Sequence, residues 1–137
     1  MGYLADVNNN KYLYFRTEAT DANDDATGDS ALFPASSLVG MQPTTDTRLT
    51  LYFKPMVRRD PTGSVDSANS LDNHDSVGLT IAANKHLTVM RDIINAITSN
   101  GPSFIVVAND DSGGTEYISA SIDNCGTISV AAAYANS

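Results

Sequence analysis

Within the 137 residues, one stretch, about 85–99, carries the 3.6-residue period of an amphipathic helix. Leu87, Met90, Ile93, Ile94 and Ile97 fall on one side of that helix, and Lys85, His86, Arg91, Asp92 and Asn95 take the rest. Asn84 is placed to cap its start, because a side-chain oxygen there can accept from an orphan amide. Asn100-Gly101-Pro102 stops it, since Gly admits a left-handed C-cap and Pro blocks continuation. A chain with one such helix must build the rest of its core from strands.

Strand signals are correspondingly plentiful. In "KYLYFRTE", Tyr12 and Tyr14 alternate with Leu13 and Phe15, and both faces are apolar or amphipathic. That pattern fits a strand with protein on each side. "TRLTLYFKPMV" sets Leu49, Leu51 and Phe53 against Thr50, Tyr52 and Lys54, and Pro55 marks its end. "SVGLTIA" places Val77, Leu79 and Ile81 on one face. "FIVVA" (104–108) reads as a strand buried on both faces. "NDDSGG" is a hairpin turn, "TEYISASI" a further strand, "DNCG" another turn, and "TISVAAA" the last strand. The two remaining stretches, about 18–37 and 58–75, are rich in Asp, Ser and Gly and carry no period, so they are expected to be long loops. The expected fold class is α+β, mainly β: a small antiparallel barrel or sandwich with one amphipathic helix at about 85–99, in a single domain spanning 1–137.

Composition narrows the function classes. Charged residues make up only 18% of the chain, below the roughly 25% of an average domain. The net charge is −8, which has the wrong sign for phosphate-backbone binding. Arg58-Arg59 is the one adjacent basic pair and does not make a basic patch. No apolar run reaches the roughly 18–20 residues of a membrane span, and "MGYLADVNNNKYLYF" lacks the layout of a secretory signal. Nucleic acid and membrane are therefore not expected partners.

Reactive constellations are sparse. "DANDDATGD" (21–29) offers oxygen ligands, but a helix–loop–helix calcium site begun at Asn23 would put Pro34 where its bidentate Glu belongs. A solvated loop is the expectation there. His74 and His86 are too few for a zinc site. Cys125 cannot pair, and its neighbours Asp123 and Asn124 do not favour a thiolate, so it is expected to be a packing residue. No Gly-x-Ser-x-Gly elbow and no phosphate-binding Gly-rich loop is present. The expectation is a non-enzyme with no catalytic residues, no metal ligands and no cofactor.

The span "SSLVGMQPTTDTRLTLYFKPM", "DSVGLTIAANKHLTVMRDIINAI", "FIVVANDD" and "YISASIDNCGTI", roughly 36–130, resembles small virion-associated proteins of marine tailed phages that infect cyanobacteria. The resemblance implies an Sm-like small-barrel fold and a place in the virion, after synthesis in the host cytoplasm. It carries no functional residue with it. It implies a head-decoration or neck/tail subunit that acts by self-association and by binding other virion proteins, as a homo-oligomer. Tyr12, Tyr14, Tyr52 and Phe53 are the candidate contact residues, because aromatics are enriched at interfaces; the competing role for all four is to fill the core. Two other functions stand beside this one: a small-ligand or glycan-binding module using the Asp/Asn loops, and an Sm-like RNA-binding protein.

Overall fold

The computed structural model describes residues 11–55 and 74–130. Among these residues, eight strands form two four-stranded sheets, with one α-helix. Sheet one has the order β2-β1-β6-β7, from Ser30–Pro34, Tyr12–Arg16, Phe104–Asn109 and Glu116–Tyr117. Sheet two has the order β3-β4-β5-β8, from Leu38–Thr45, Arg48–Phe53, Asp75–Ile81 and Ile122–Ser129. The α+β, mainly β class holds, and the arrangement is a sandwich. The sheets are not closed into a barrel.

Alternation dictates the packing. Leu13 and Phe15 of β1 and Phe33 of β2 turn inward, opposed by Leu49, Leu51 and Phe53 of β4 and Val77, Leu79 and Ile81 of β5; all are essentially inaccessible to solvent. At the centre Phe33 stacks on Phe53 across the two sheets, with centroids 4.1 Å apart and planes 6° from parallel. Phe15 meets both rings edge-on, at 6.0 and 5.8 Å. Offset-stacked and edge-to-face pairs satisfy the ring quadrupoles, so this trio adds directional attraction to burial.

Several sequence expectations are corrected. Two strands were hidden. β2 lies inside the stretch 18–37 expected to be a loop, between a part that holds a short 3-10 turn at Asp21–Asn23 and a second 3-10 turn at Ala35–Ser37. β3 carries Pro43, which an edge strand tolerates because one side of its backbone needs no partner. The other expected loop, 58–75, lies outside the described residues except for its last two positions, where β5 begins at Asp75. Sheet one is not wholly antiparallel, because β1 and β6 run parallel. The expected turn "DNCG" lies within β8, and the chain instead bends at residues 118–121. β8 pairs with β5, in the other sheet, and Gly126 and Asp123 are extra residues at register shifts in that pairing. A Cβ on Gly126 would stand 2.4 Å from the Gly78 carbonyl oxygen, so glycine here permits a close strand–strand approach.

The helix α1, His86–Thr98, occupies its expected place but is rotated. Val89 and Ile93 are its buried residues, with Met90, Ala96 and Ile97 packed on the core, while Leu87 is 64% and Ile94 42% exposed. Two adjacent apolar lines run along this helix, and the reading from periodicity merged them. Asn84 does not cap it. Asn84 adopts a left-handed φ of 65°, which Asn tolerates, and Lys85 takes the N-cap position without a side-chain bond. The C-terminus is satisfied from afar. Buried Lys11 donates from Nζ to the Ala96 carbonyl, at 3.2 Å, and to that of Ser99. A cation at the negative end of the helix dipole is favourable, and the last turn holds no basic residue of its own.

Candidate interaction surface

The outward side of sheet one is built by the residues that alternate with its core. Cross-strand register aligns Pro34, Tyr12 and Phe104 in one row and Leu32, Tyr14 and Val106 in the next. Tyr12 is 40%, Leu32 41% and Phe104 52% exposed, and none of the six side chains is charged. Tyr14 lies against Phe104 with centroids 5.3 Å apart. Scattered apolar residues on a surface mean nothing, but six aligned on three adjacent strands form a continuous patch. The patch extends into an open hollow of about 230 Å³ beside the helix C-terminus, lined by Ala96, Ser99, Pro102, Phe104, Val106 and Tyr117 among others.

The next outward position on β1 is Arg16, where the face changes character. Its side chain is only 8% exposed, with Asp21 at 2.8 Å, Asp111 at 3.7 Å and Asp24 at 3.9 Å. Nε donates to the Glu18 carbonyl at 2.7 Å. The hydrogen bond with Asp21 is the chief reason the guanidinium pKa lies above its ordinary value. A buried cation is tolerable when paired and hydrogen-bonded, and these carboxylates meet that need. The acidic loop and the 109–114 hairpin thus close one end of the sheet face. The Ser112 amide and hydroxyl both donate to the Ala19 carbonyl, joining loop to hairpin directly.

The same contacts explain the Asp-rich segment. Asp29 accepts from the amides of Asp25 and Ala26, Asp24 accepts from the Ser30 hydroxyl, and Asp21 holds Arg16. Among the described residues, no group of three His, Cys, Asp or Glu side chains is placed to hold a metal ion. The histidines are far from sharing a site. His86 donates from Nε2 to the carbonyls of Thr45, at 2.8 Å, and Arg48, at 3.2 Å, fastening the helix to the β3–β4 turn. His74 meets Tyr52 edge-on at 5.3 Å.

Cys125 is buried, as expected of a packing residue. Burial first, and then the Asp110 carboxylate, push its thiol up to about 12, so it remains protonated at neutral pH. Asp110 accepts from the Cys125 amide at 3.1 Å and from the Tyr117 hydroxyl at 2.5 Å. It thereby bonds β8, of sheet two, to the end of β6 and β7, of sheet one. Burial, followed by the bond to Asp110, raises Tyr117 to about 12 as well.

Of the four candidate contact residues, Tyr12 and Tyr14 fall together on the open face of sheet one. Tyr52 lies on the outward side of sheet two, half-buried, and its hydroxyl accepts from Gln42 Nε2 at 3.1 Å. Phe53 is corrected: it is fully buried and belongs to the core trio. Leu32, Pro34, Phe104 and Val106 went unnoticed as contact candidates. Phe104 and Val106 were hidden by the expectation that "FIVVA" is covered on both sides, whereas Ile105, Val107 and Ala108 are buried, Val106 is half-buried and Phe104 is exposed. Arg58 and Arg59 lie outside the described residues. Compared with models of known protein families, with curated proteins and with solved structures, the chain matches none.

Proposed function

We propose that this chain is a structural protein that acts by association, as a self-associating virion component of the head-decoration or neck/tail kind that also binds other virion proteins. The observation that supports association is the pair of apolar rows, Pro34·Tyr12·Phe104 and Leu32·Tyr14·Val106, left open on one side of an otherwise filled sandwich. Placement in a virion rests on the resemblance of residues 36–130 to phage proteins. Covering such a patch releases hydration water at roughly 25 cal/mol per Å² of apolar area, without any reactive group. The edges of sheet two suit a face-mediated contact better than strand addition. β3 has Pro43 and two register shifts, and Asp110 already occupies a β8 amide.

Sedimentation velocity tests the reading. Wild type is expected to sediment as an oligomer, and Tyr12→Lys with Phe104→Lys to restore a monomer that still melts cooperatively, as a folded chain. A wild-type monomer at several hundred micromolar refutes self-association. Mass spectrometry of purified virions tests the location, and absence of this chain from them refutes it.

A further inference from the structure

Sheet two turns a different chemistry outward. Arg48 and Thr80 share one cross-strand row, Gly78 and Thr127 the next, and Tyr52 and Ser76 the third. We propose that this face is a binding site for an acidic polysaccharide, with Arg48 as the group that takes a uronate carboxylate. The site is separate from the apolar face of sheet one and does not depend on its role.

Three observations carry the proposal. The first is the posture of Arg48. Its side chain crosses from β4 over bare backbone: a Cβ on Gly78 would stand 2.7 Å from Nη1 and 3.5 Å from Cδ. A Cβ on Gly126 would stand 3.4 Å from the same Nη1 and 3.3 Å from Thr80 Oγ1. Glycine on the two neighbouring strands thus leaves the trough in which the guanidinium lies.

The second is the lack of a counter-charge for Arg48 among the described residues. Among the described residues the carboxylates within ion-pair distance of an arginine all belong to Arg16. Among the described residues, the one side-chain hydrogen bond of Arg48 is a long one, from Nη1 to Thr127 Oγ1 at 3.4 Å. A guanidinium has five N–H donors in a fixed fork, matched to a planar carboxylate. The described residues claim only one of these donors. In a chain of net charge −8, a cation with no carboxylate beside it in the three described rows supplies the local complementarity that the net charge opposes.

The third is the company Arg48 keeps. Thr80, Thr127 and Ser76 carry hydroxyls that both donate and accept, on strands about 4.8 Å apart. Tyr52 adds a partly accessible ring. Alternating hydroxyls beside an aromatic plane suit the hydroxyls and apolar ring faces of a sugar chain. An acidic peptide would seek unpaired strand amides, which a sheet face does not offer. Nucleic acid would need several cations in register, and the three rows hold one.

Affinity electrophoresis and calorimetry at low ionic strength, with hexagalacturonate as the probe, test this. Maltohexaose, hexaglutamate and inorganic sulfate at matched charge or concentration serve as comparisons. Wild type is expected to bind hexagalacturonate and none of the others measurably. Arg48→Gln should weaken binding at least tenfold, equivalent to about 1.4 kcal/mol, and Arg48→Lys by less. Thermal melting establishes that each variant is folded. Should Arg48→Gln fail to fold, Thr80→Val takes its place, expected to weaken binding several-fold. The proposal is overturned if wild type does not bind, if the folded variants bind as wild type does, or if hexaglutamate or sulfate binds as tightly.

Discussion

Alternation puts Phe53 of "LTLYF" in the core and Tyr12 of "KYLYF", on β1, at the surface, and the energetic contrast between the two is measurable. Phe53 is sealed from solvent, stacked on Phe33 and met edge-on by Phe15. Truncating such a residue to Ala removes its transfer free energy and leaves a cavity that the facing sheets cannot fully close, a cost of about 3–5 kcal/mol. Each ring contact adds about 0.5–1.5 kcal/mol beyond area. Against a whole-domain stability of about 5–15 kcal/mol, Phe53→Ala removes a large share of the total. Tyr12→Ala, at a ring 40% exposed, should cost about 1 kcal/mol or less. Urea unfolding followed by far-UV circular dichroism compares them. With a slope of about 2 kcal/mol per molar, the Phe53→Ala midpoint should fall by about 2 M and the Tyr12→Ala midpoint by about 0.5 M or less. A double-mutant cycle between Phe33→Leu and Phe53→Leu should give a coupling of about 1 kcal/mol. Equal midpoints for Phe53→Ala and Tyr12→Ala, or zero coupling between the stacked rings, would refute the facing-sheet core.

Alkaline titration probes the join between the sheets. The Cys125 thiol ordinarily ionises near 9.0 but holds its proton to about 12 when folded. The unfolded chain therefore sheds a proton first, so stability is intact below pH 9 and falls as pH rises toward 12. Between pH 8 and 11 the loss from this group should be about 2–3 kcal/mol. Tyr117, raised from 10.0 to about 12, adds a smaller decline that begins near pH 10. Cys125→Ala should flatten the urea midpoint between pH 8 and 10, and a wild-type midpoint that does not move to pH 11 would contradict the burial effect. At the β8 register shift, Gly126→Ala forces a Cβ to within 2.4 Å of the Gly78 carbonyl oxygen and should cost about 1–3 kcal/mol by thermal melting. Gly114→Ala, where nothing lies within 4 Å, should stay within about 0.5 kcal/mol of wild type; similar melting temperatures for the two would mean that β8 does not approach β5 so closely.

Strands whose alternation runs uninterrupted, β1, β4 and β5, were legible from the residues alone, and so was the helix with its stop. β3 was not, because Gly40 and Pro43 break its period and its pairing shifts register twice. β2 was masked by the Asp- and Ser-rich residues before it, although Ala31 and Phe33 do alternate with Leu32. In β8, Cys125-Gly126 mimicked turn chemistry, when the glycine in fact serves a neighbouring strand. The candidate face was half legible: Tyr12 and Tyr14 announced a second apolar side on β1, but Phe104 and Val106 became part of it only through the parallel pairing of β1 with β6, which no local pattern encodes. Arg48 was invisible for a related reason. Its posture depends on glycines on two other strands, and sequence distance conceals that they are neighbours.

The parallel pairing of β1 with β6 also sets a timetable for synthesis. β1 and β2 can pair once Pro34 has been made, but the other edge of β1 has no partner until the ribosome reaches Asn109. At about 5–20 residues per second, that wait is roughly 4–15 s. Throughout it, a nascent hairpin displays Leu13, Phe15 and Phe33 on one side and Tyr12, Tyr14 and Leu32 on the other, with a free strand edge between them. Production of this protein should therefore depend on translation rate and on holding chaperones well before any question of assembly arises.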